Sequence, residues 1–251
     1  MGLAVLICLV LASGAALVIT DRARKEHKPE RKDGPALNYV NTFISTLYMV
    51  LLALVVVIQW QNVDEVNTDV RTEAYTLTAL VQTASRMPAS EAAAVRASAV
   101  AYAQGVLHAE WPPPNANGSD LVAKVLSGGQ AAVTHPVDSD VQLGTIEDQA
   151  IGEYESLQQA RVDRLGVGNQ GIPEILIIAL GALSLVTVLT PLALGMRADA
   201  LAFSGLVIST VLVCLAFWLV LDLQTLYSGL IHADSSPLGR FLADYRQQGT
   251  Q

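Results

Sequence analysis

Residues 34–63 read GPALNYVNTFISTLYMVLLALVVVIQWQNV, thirty positions without an Asp, Glu, Lys or Arg. A helix needs about 17–25 apolar residues to cross ~30 Å of hydrocarbon, whereas an uncharged run of about 10–14 is more typical of a buried soluble helix. The stretch therefore reads as a membrane span, long enough to protrude. Three more charge-free stretches, 3–20, 175–196 and 200–221, meet the same requirement. Together they predict helices at about 3–20, 38–61, 174–196 and 200–223. The remaining residues carry all 15 basic and 23 acidic side chains of the 251-residue chain. That concentrates them to near the ~25% of an ordinary soluble domain. Two materials alternate along one chain, which excludes a single soluble domain and excludes disorder.

The expected fold class is all-α: a polytopic membrane protein with four transmembrane helices and a helical soluble domain between the second and third. Its expected parts are transmembrane helix 1 (1–20), a basic loop (21–37), transmembrane helix 2 (38–63) and an acidic helical domain (64–173). Transmembrane helices 3 (174–196) and 4 (200–223) follow, then a C-terminal tail (224–251). A cleaved signal peptide is the alternative for the first stretch. No Lys or Arg precedes its apolar run, and the run continues through Val18-Ile19, which argues against cleavage after Ala12-Ser13-Gly14-Ala15. Cys8 and Cys214 both fall inside spans and read as small packing residues.

Orientation follows from charge. The 21–37 loop holds six of the fifteen basic residues, and Lys and Arg near span ends stay on the cytoplasmic side. An even number of spans then places both termini and the 64–173 domain outside the cytoplasm. Residues 64–174 contain 15 acids and 6 bases, a net of −9. The basic loop, interrupted by acids and held at a membrane, suits anionic lipid rather than nucleic acid.

Beyond Trp60 the helical pattern persists. Val63, Val66, Val70, Ala74, Leu77, Val81 and Ala84 recur at spacings of three and four, predicting a continuous helix to about Arg86. Met87-Pro88 ends it, since the residue before proline leaves the helical region. Ser90 is the expected N-cap of an alanine-rich helix through Glu110-Trp111, stopped by Pro112-Pro113-Pro114. Ser119 and Asp120 start a short helix expected to fail at Gly128-Gly129, leaving 128–144 as loop. Thr145 is the expected cap of a last helix to Leu165, with Ile146, Ala150, Tyr154, Leu157 and Val162 apolar.

Motifs for chemistry are few. Gly166-Val167-Gly168-Asn169-Gln170-Gly171 has dinucleotide-loop spacing but lacks the preceding strand, so it reads as a flexible link into Pro173. His108-Ala109-Glu110 lacks the cysteines of a zinc deaminase. The four histidines have no ligand spacing. The chain is expected to be no enzyme and to carry no cofactor or metal.

Projection at 100° per residue puts Asn38, Thr42, Ser45, Met49, Leu52, Val56 and Gln59 along one stripe of the second span. It is polar at both ends and apolar between, as a pore with a hydrophobic constriction would be. Polar and small residues also line ordinary contacts between membrane helices. Asp64 and Glu65 would contribute to an acidic vestibule. Asp222 near the end of the fourth span is either part of an ion pathway or simply solvated at the interface.

Several residues resemble a known family: the Asn38–Ala53 run, Glu73-Ala74, Tyr102, Glu110-Trp111-Pro112, Arg161-x-x-Arg164, Ile172-Pro173 and Asp222-Leu223. As a set over about 38–231 they are similar to the bacterial bestrophin-like membrane proteins, a family distantly similar to bestrophin ion channels. The resemblance implies a homopentamer with four spans per subunit and an axial pore lined by the second span. It makes Met49, Leu52 and Val56 the candidate hydrophobic neck. The usual aromatic neck residues and a calcium clasp have no counterpart here, and bestrophins keep their soluble part in the cytosol. The expected function is thus an oligomeric channel for monovalent ions in the cell membrane. Cations are slightly favoured, because an acidic vestibule raises their local concentration. The alternative is a non-conducting membrane-anchored sensor or partner-binding protein.

Overall fold

The computed structural model describes residues 35–111, 113, 117–133, 141–169, 171–193, 200–223, 226–227 and 232–248. The first expected span and most of the basic loop lie outside these residues. Among the described residues every regular element is an α-helix. They are α1 Pro35–Ala84, α2 Ala89–Ala109, α3 Asp120–Val133, α4 Val141–Asn169, α5 Glu174–Ala193, α6 Ala200–Leu223 and α7 Ser236–Gln248. They fall into two compact units, one within Met1–Gln59 and Ile172–Gln224, the other within Trp60–Gly171 and Thr225–Gln251.

The first unit joins the start of α1 to α5 and α6. Tyr48, Val55, Ile172, Leu180 and Val220 form its small core, with Leu51, Leu52, Val56 and Phe217 packed against them. Two helices among the described residues are long and apolar enough to cross a membrane, over Thr42–Ala84 and Ser204–Leu223; the apolar run Glu174–Thr190 is shorter. Only 17% and 22% of the two most apolar windows is buried, whereas a soluble core helix would be mostly covered. Val50, Leu54, Val57, Ile208, Leu212 and Leu215 all stand exposed. A soluble monomer rarely leaves so much apolar surface uncovered. Hydroxyls within these helices bond their own backbone: Thr46 to the Thr42 carbonyl, Ser184 to Leu180, Thr187 to Leu183 and Thr210 to Leu206, at 2.7–2.8 Å. Such back-bonding satisfies a hydroxyl without water.

The second unit packs the rest of α1 with α2, α3, α4 and α7. The expected face of α1 is buried at Val63, Val66, Val70, Ala74, Leu77 and Ala84, with Val81 partly so. A turn follows, the amides of Ser85, Arg86 and Met87 bonding back to Gln82, Thr83 and Ala84. Pro88, not Ser90, occupies the N-cap of α2, its carbonyl accepting the Ala92 amide at 2.9 Å.

The glycine pair does not end α3, which runs on to Val133. The reason is packing: a Cβ on Gly129 would lie 2.5 Å from Ser98 Oγ and 2.6 Å from Tyr154 Oη. Those two hydroxyls share a 2.5 Å hydrogen bond. Helix α4 begins at Val141, ahead of the expected Thr145 cap, so 141–144 is helix rather than loop. It also carries on through Gly166 and Gly168 to Asn169. The link read into those glycines is therefore helical, with Gly168 tucked against the Tyr227 ring. The tail holds a further helix, α7, whose Leu238, Phe241 and Leu242 are buried in the unit's core.

Candidate functional site

On α4 the expected apolar face is buried at Ala150, Tyr154 and Leu157, with Ile146 partly so, but not at Val162. Val162 is exposed, while Arg161 and Arg164 turn inward. They meet two acids from other elements, Glu73 on α1 and Glu110 at the C-cap of α2. Arg164 Nε donates to Glu73 Oε1 at 2.6 Å, and its Nη2 to Glu110 Oε2 at 2.8 Å. Arg161 grips the same Glu110 through Nη2 at 2.5 Å and Nε at 3.1 Å. The Ser119 amide adds a bond to Glu110 Oε1 at 2.7 Å, and Tyr102 Oη donates to Glu73 Oε2 at 3.0 Å. Arg161 Nη2 also reaches the carbonyls of Asn117 and Ser119.

The backbone here is cut to fit. Gly118 has φ of +71°, a conformation costly for any residue with a Cβ. A Cβ there would lie 2.5 Å from Glu110 Oε1 and 2.7 Å from Arg161 Nη2. Above Arg164, the Tyr227 hydroxyl donates to its carbonyl at 3.2 Å, and the Tyr227 ring meets Trp111 edge-on at 4.9 Å.

Two acids and two guanidinium groups leave the quartet neutral, which is how buried charge is tolerated. Arg164 and both acids have no exposed side-chain surface. Burial pushes the Glu73 carboxyl upward, against the pull of Arg164 and the Tyr102 bond. For Glu110 burial also pushes upward, but the bonds from Arg161, Arg164 and the Ser119 amide outweigh it and hold the carboxyl below its ordinary range. Arg164 is driven further toward its charged form despite burial, by Glu73 first. One atom is left over: Arg164 Nη1 is buried without a hydrogen-bond partner. Asp69 has a similar orphan in Oδ2; burial, then Asp163, Glu65 and Glu73, raises its carboxyl to about 6, with Arg164 opposing.

The stripe residues of α1 have mixed surroundings. Asn38 lies in the helix, its side chain outside the description. Thr42 and Met49 are exposed, Met49 at 68%. Ser45 is half-buried. Leu52 and Val56 are partly buried against the first unit's core. Gln59 is fully buried, its Nε2 donating to the Leu223 carbonyl at 2.8 Å. Asp64 and Glu65 are exposed and Asp222 half-buried.

A family model described as a bestrophin-like domain matches residues 7–238. The chain belongs to the bestrophin-like family. No curated protein and no solved structure matches it. Bestrophin-like proteins are known as channels rather than enzymes, and with the exposed apolar helices this points to a membrane location.

The bestrophin-like assignment gives the quartet added meaning. Glu73, Tyr102, Glu110, Arg161 and Arg164 all lie within the matched span, and the fold gathers them at one point. In the sequence they stand as separate motifs on different helices. A signal was available: at 100° per residue each charge falls on the apolar face of its own helix, Glu73 with Val70 and Leu77, Arg161 and Arg164 with Tyr154 and Leu157. Charges so placed are almost never fully buried unless paired.

Proposed function

We propose that the bestrophin-like chain forms a homo-oligomer, a pentamer by family resemblance, that conducts monovalent ions through an axial pore. The observation that carries this reading is the family match across 7–238. Four spans per subunit are proposed, with α1 lining the pore through Asn38, Thr42, Ser45, Met49, Leu52 and Val56; Gln59, expected in the same stripe, is turned onto the Leu223 carbonyl and is left out of that lining. Met49, Leu52 and Val56 would form the neck, where an apolar constriction gates by dewetting. The exposure of Thr42 and Met49 in the single chain supports a surface awaiting neighbours.

Cations are the favoured permeant. The buried quartet is neutral, so the net −9 of residues 64–174 is carried by the other side chains. Asp64, Glu65 and Asp222 are the proposed acidic mouth, and the positive-inside argument places it outside the cytoplasm.

The test is flux from liposomes holding the purified oligomer, with current recorded in bilayers under a salt gradient. Leu52→Asp should wet the neck and raise conductance, and Leu52→Ala should do so less. A monomer, or flux identical in all three proteins, would end the channel reading. A reversal potential at the chloride value would end the cation preference alone.

A further inference from the structure

The end of α4 holds more glycine than its packing uses. Gly168 is required: a Cβ there would run into the Tyr227 hydroxyl and lie 2.8 Å from two carbons of its ring. Gly166, in the last helical turn, and Gly171, in the link to α5, are exposed, and a Cβ on either would meet nothing within 4 Å. A helical glycine shifts the balance toward the open chain by about fivefold relative to alanine. Val167, between two of these glycines, is buried in the second unit's core. Its flanking positions can therefore change φ and ψ around an anchored side chain. Hinges are commonly such element-terminal positions.

The backbone beneath this turn is prepared for its opening. Arg164 has no exposed surface, and its carbonyl accepts the Tyr227 hydroxyl at 3.2 Å. In an α-helix the same carbonyl faces the amide four residues on, that of Gly168. One acceptor thus has two donors, one from its own helix and one from outside it. When the last turn unwinds, the Gly168 amide leaves and the Tyr227 hydroxyl stays. The buried carbonyl is then never orphaned, which removes a main cost of breaking a helix in a core. Tyr227 is held independently of α4. Its ring meets Trp111 edge-on, and the preceding Leu226 is buried, its carbonyl accepting the Ala233 amide at 2.8 Å. The quartet's arginines precede the turn, so its opening leaves their ion pairs intact.

We propose that Gly166–Gly168 is a hinge between α4 and α5, in which the Tyr227 hydroxyl takes over the Arg164 carbonyl as the helix bond from Gly168 opens. The hinge does not depend on the conduction reading, since its parts lie within the second unit and the reading concerns the spans.

Hydrogen–deuterium exchange of the purified full-length protein in detergent tests this, followed in the peptide 165–173. Local opening sets such rates. Gly166→Ala should slow exchange there by about fivefold. Gly152→Ala, at an equally open position in the middle of α4, should leave that peptide unchanged. Tyr227→Phe keeps the ring and removes the hydroxyl. Opening then strands the Arg164 carbonyl, and exchange in 165–173 should slow by about fivefold. A hydroxyl that merely props the helix would give the opposite sign on removal. Faster exchange in Tyr227→Phe, no slowing in Gly166→Ala, or equal slowing by Gly152→Ala would each overturn the proposal.

Discussion

Hydroxyls bond back to their own helices in both units, but among the described residues the buried ion pairs all belong to the second. In the first, the long-range polar contacts include the Gln59 bond to the Leu223 carbonyl and a 3.5 Å approach of the Tyr48 hydroxyl to the Val213 carbonyl. Its helices meet through a small apolar core, with much aliphatic surface left bare. The second unit buries two full ion pairs' worth of charge and ties three helices to them. Greasy contacts tolerate sliding; directional charge pairs do not. The comparison therefore predicts that the second unit has one sharply defined arrangement, while the first tolerates repacking with similar apolar residues.

The hardest blow to this contrast would come from Arg164→Met. Truncating the arginine strands Glu73 and Glu110 without their shared partner, and breaking a buried pair costs about 3–5 kcal/mol. Chemical denaturation in detergent should show that loss. A smaller loss would mean the quartet is not what orients the helices. Gly118→Ala comes next, at about 1–3 kcal/mol for the left-handed backbone alone, with the crowding against Glu110 and Arg161 added. In the first unit, Gln59→Leu should cost only about 1 kcal/mol, the net value of a typical hydrogen bond. If it rivalled Arg164→Met, the distinction between the units would collapse.

The smallest effect concerns pH. The folded chain holds the Asp69 proton more tightly than an unfolded chain would, since this carboxyl is raised to about 6. Its contribution to stability is thus fully present below the unfolded carboxyl range and is lost as pH rises through about 6. Asp69→Asn should raise the thermal midpoint relative to the parent at about pH 7.5, with the gain fading toward about pH 4. Burial sets most of that gain, with Asp163, Glu65 and Glu73 adding to it and Arg164 opposing.

What could be read in advance follows the same division. Two long apolar helices and the buried face of α1 were legible because their signals are local: an unbroken apolar run in one case, and Val63 through Ala84 repeating at helical spacing in the other. The course of α3 was not. Gly128-Gly129 has the composition of a stop, and only the Ser98–Tyr154 pair against Gly129 explains a helix there. α7 lies in the stretch expected as tail, although Leu238, Phe241 and Leu242 carry an apolar face. The quartet was hidden for a different reason. Counting charge over 64–174 treats every acid alike, and Glu73 and Glu110 become interior groups only once Arg164 and Arg161 arrive from another helix. The quartet of Glu73, Glu110, Arg161 and Arg164 thus explains how the second unit is held together. The proposed pore stripe lies in the first unit, whose polar contacts say nothing of a passage between subunits, and this is why conduction needs its own experiment.

Glu73 and Arg164 stand 91 positions apart, and that separation has a cost in time. At a translation rate of about 5–20 residues per second, the nascent chain displays Glu73 for roughly 5–20 s before its arginine is even polymerised. Throughout that interval the acid has no guanidinium to bury against. Docking of the α1 segment must therefore wait for α4 to emerge, making assembly of the second unit a late event in the protein's biogenesis.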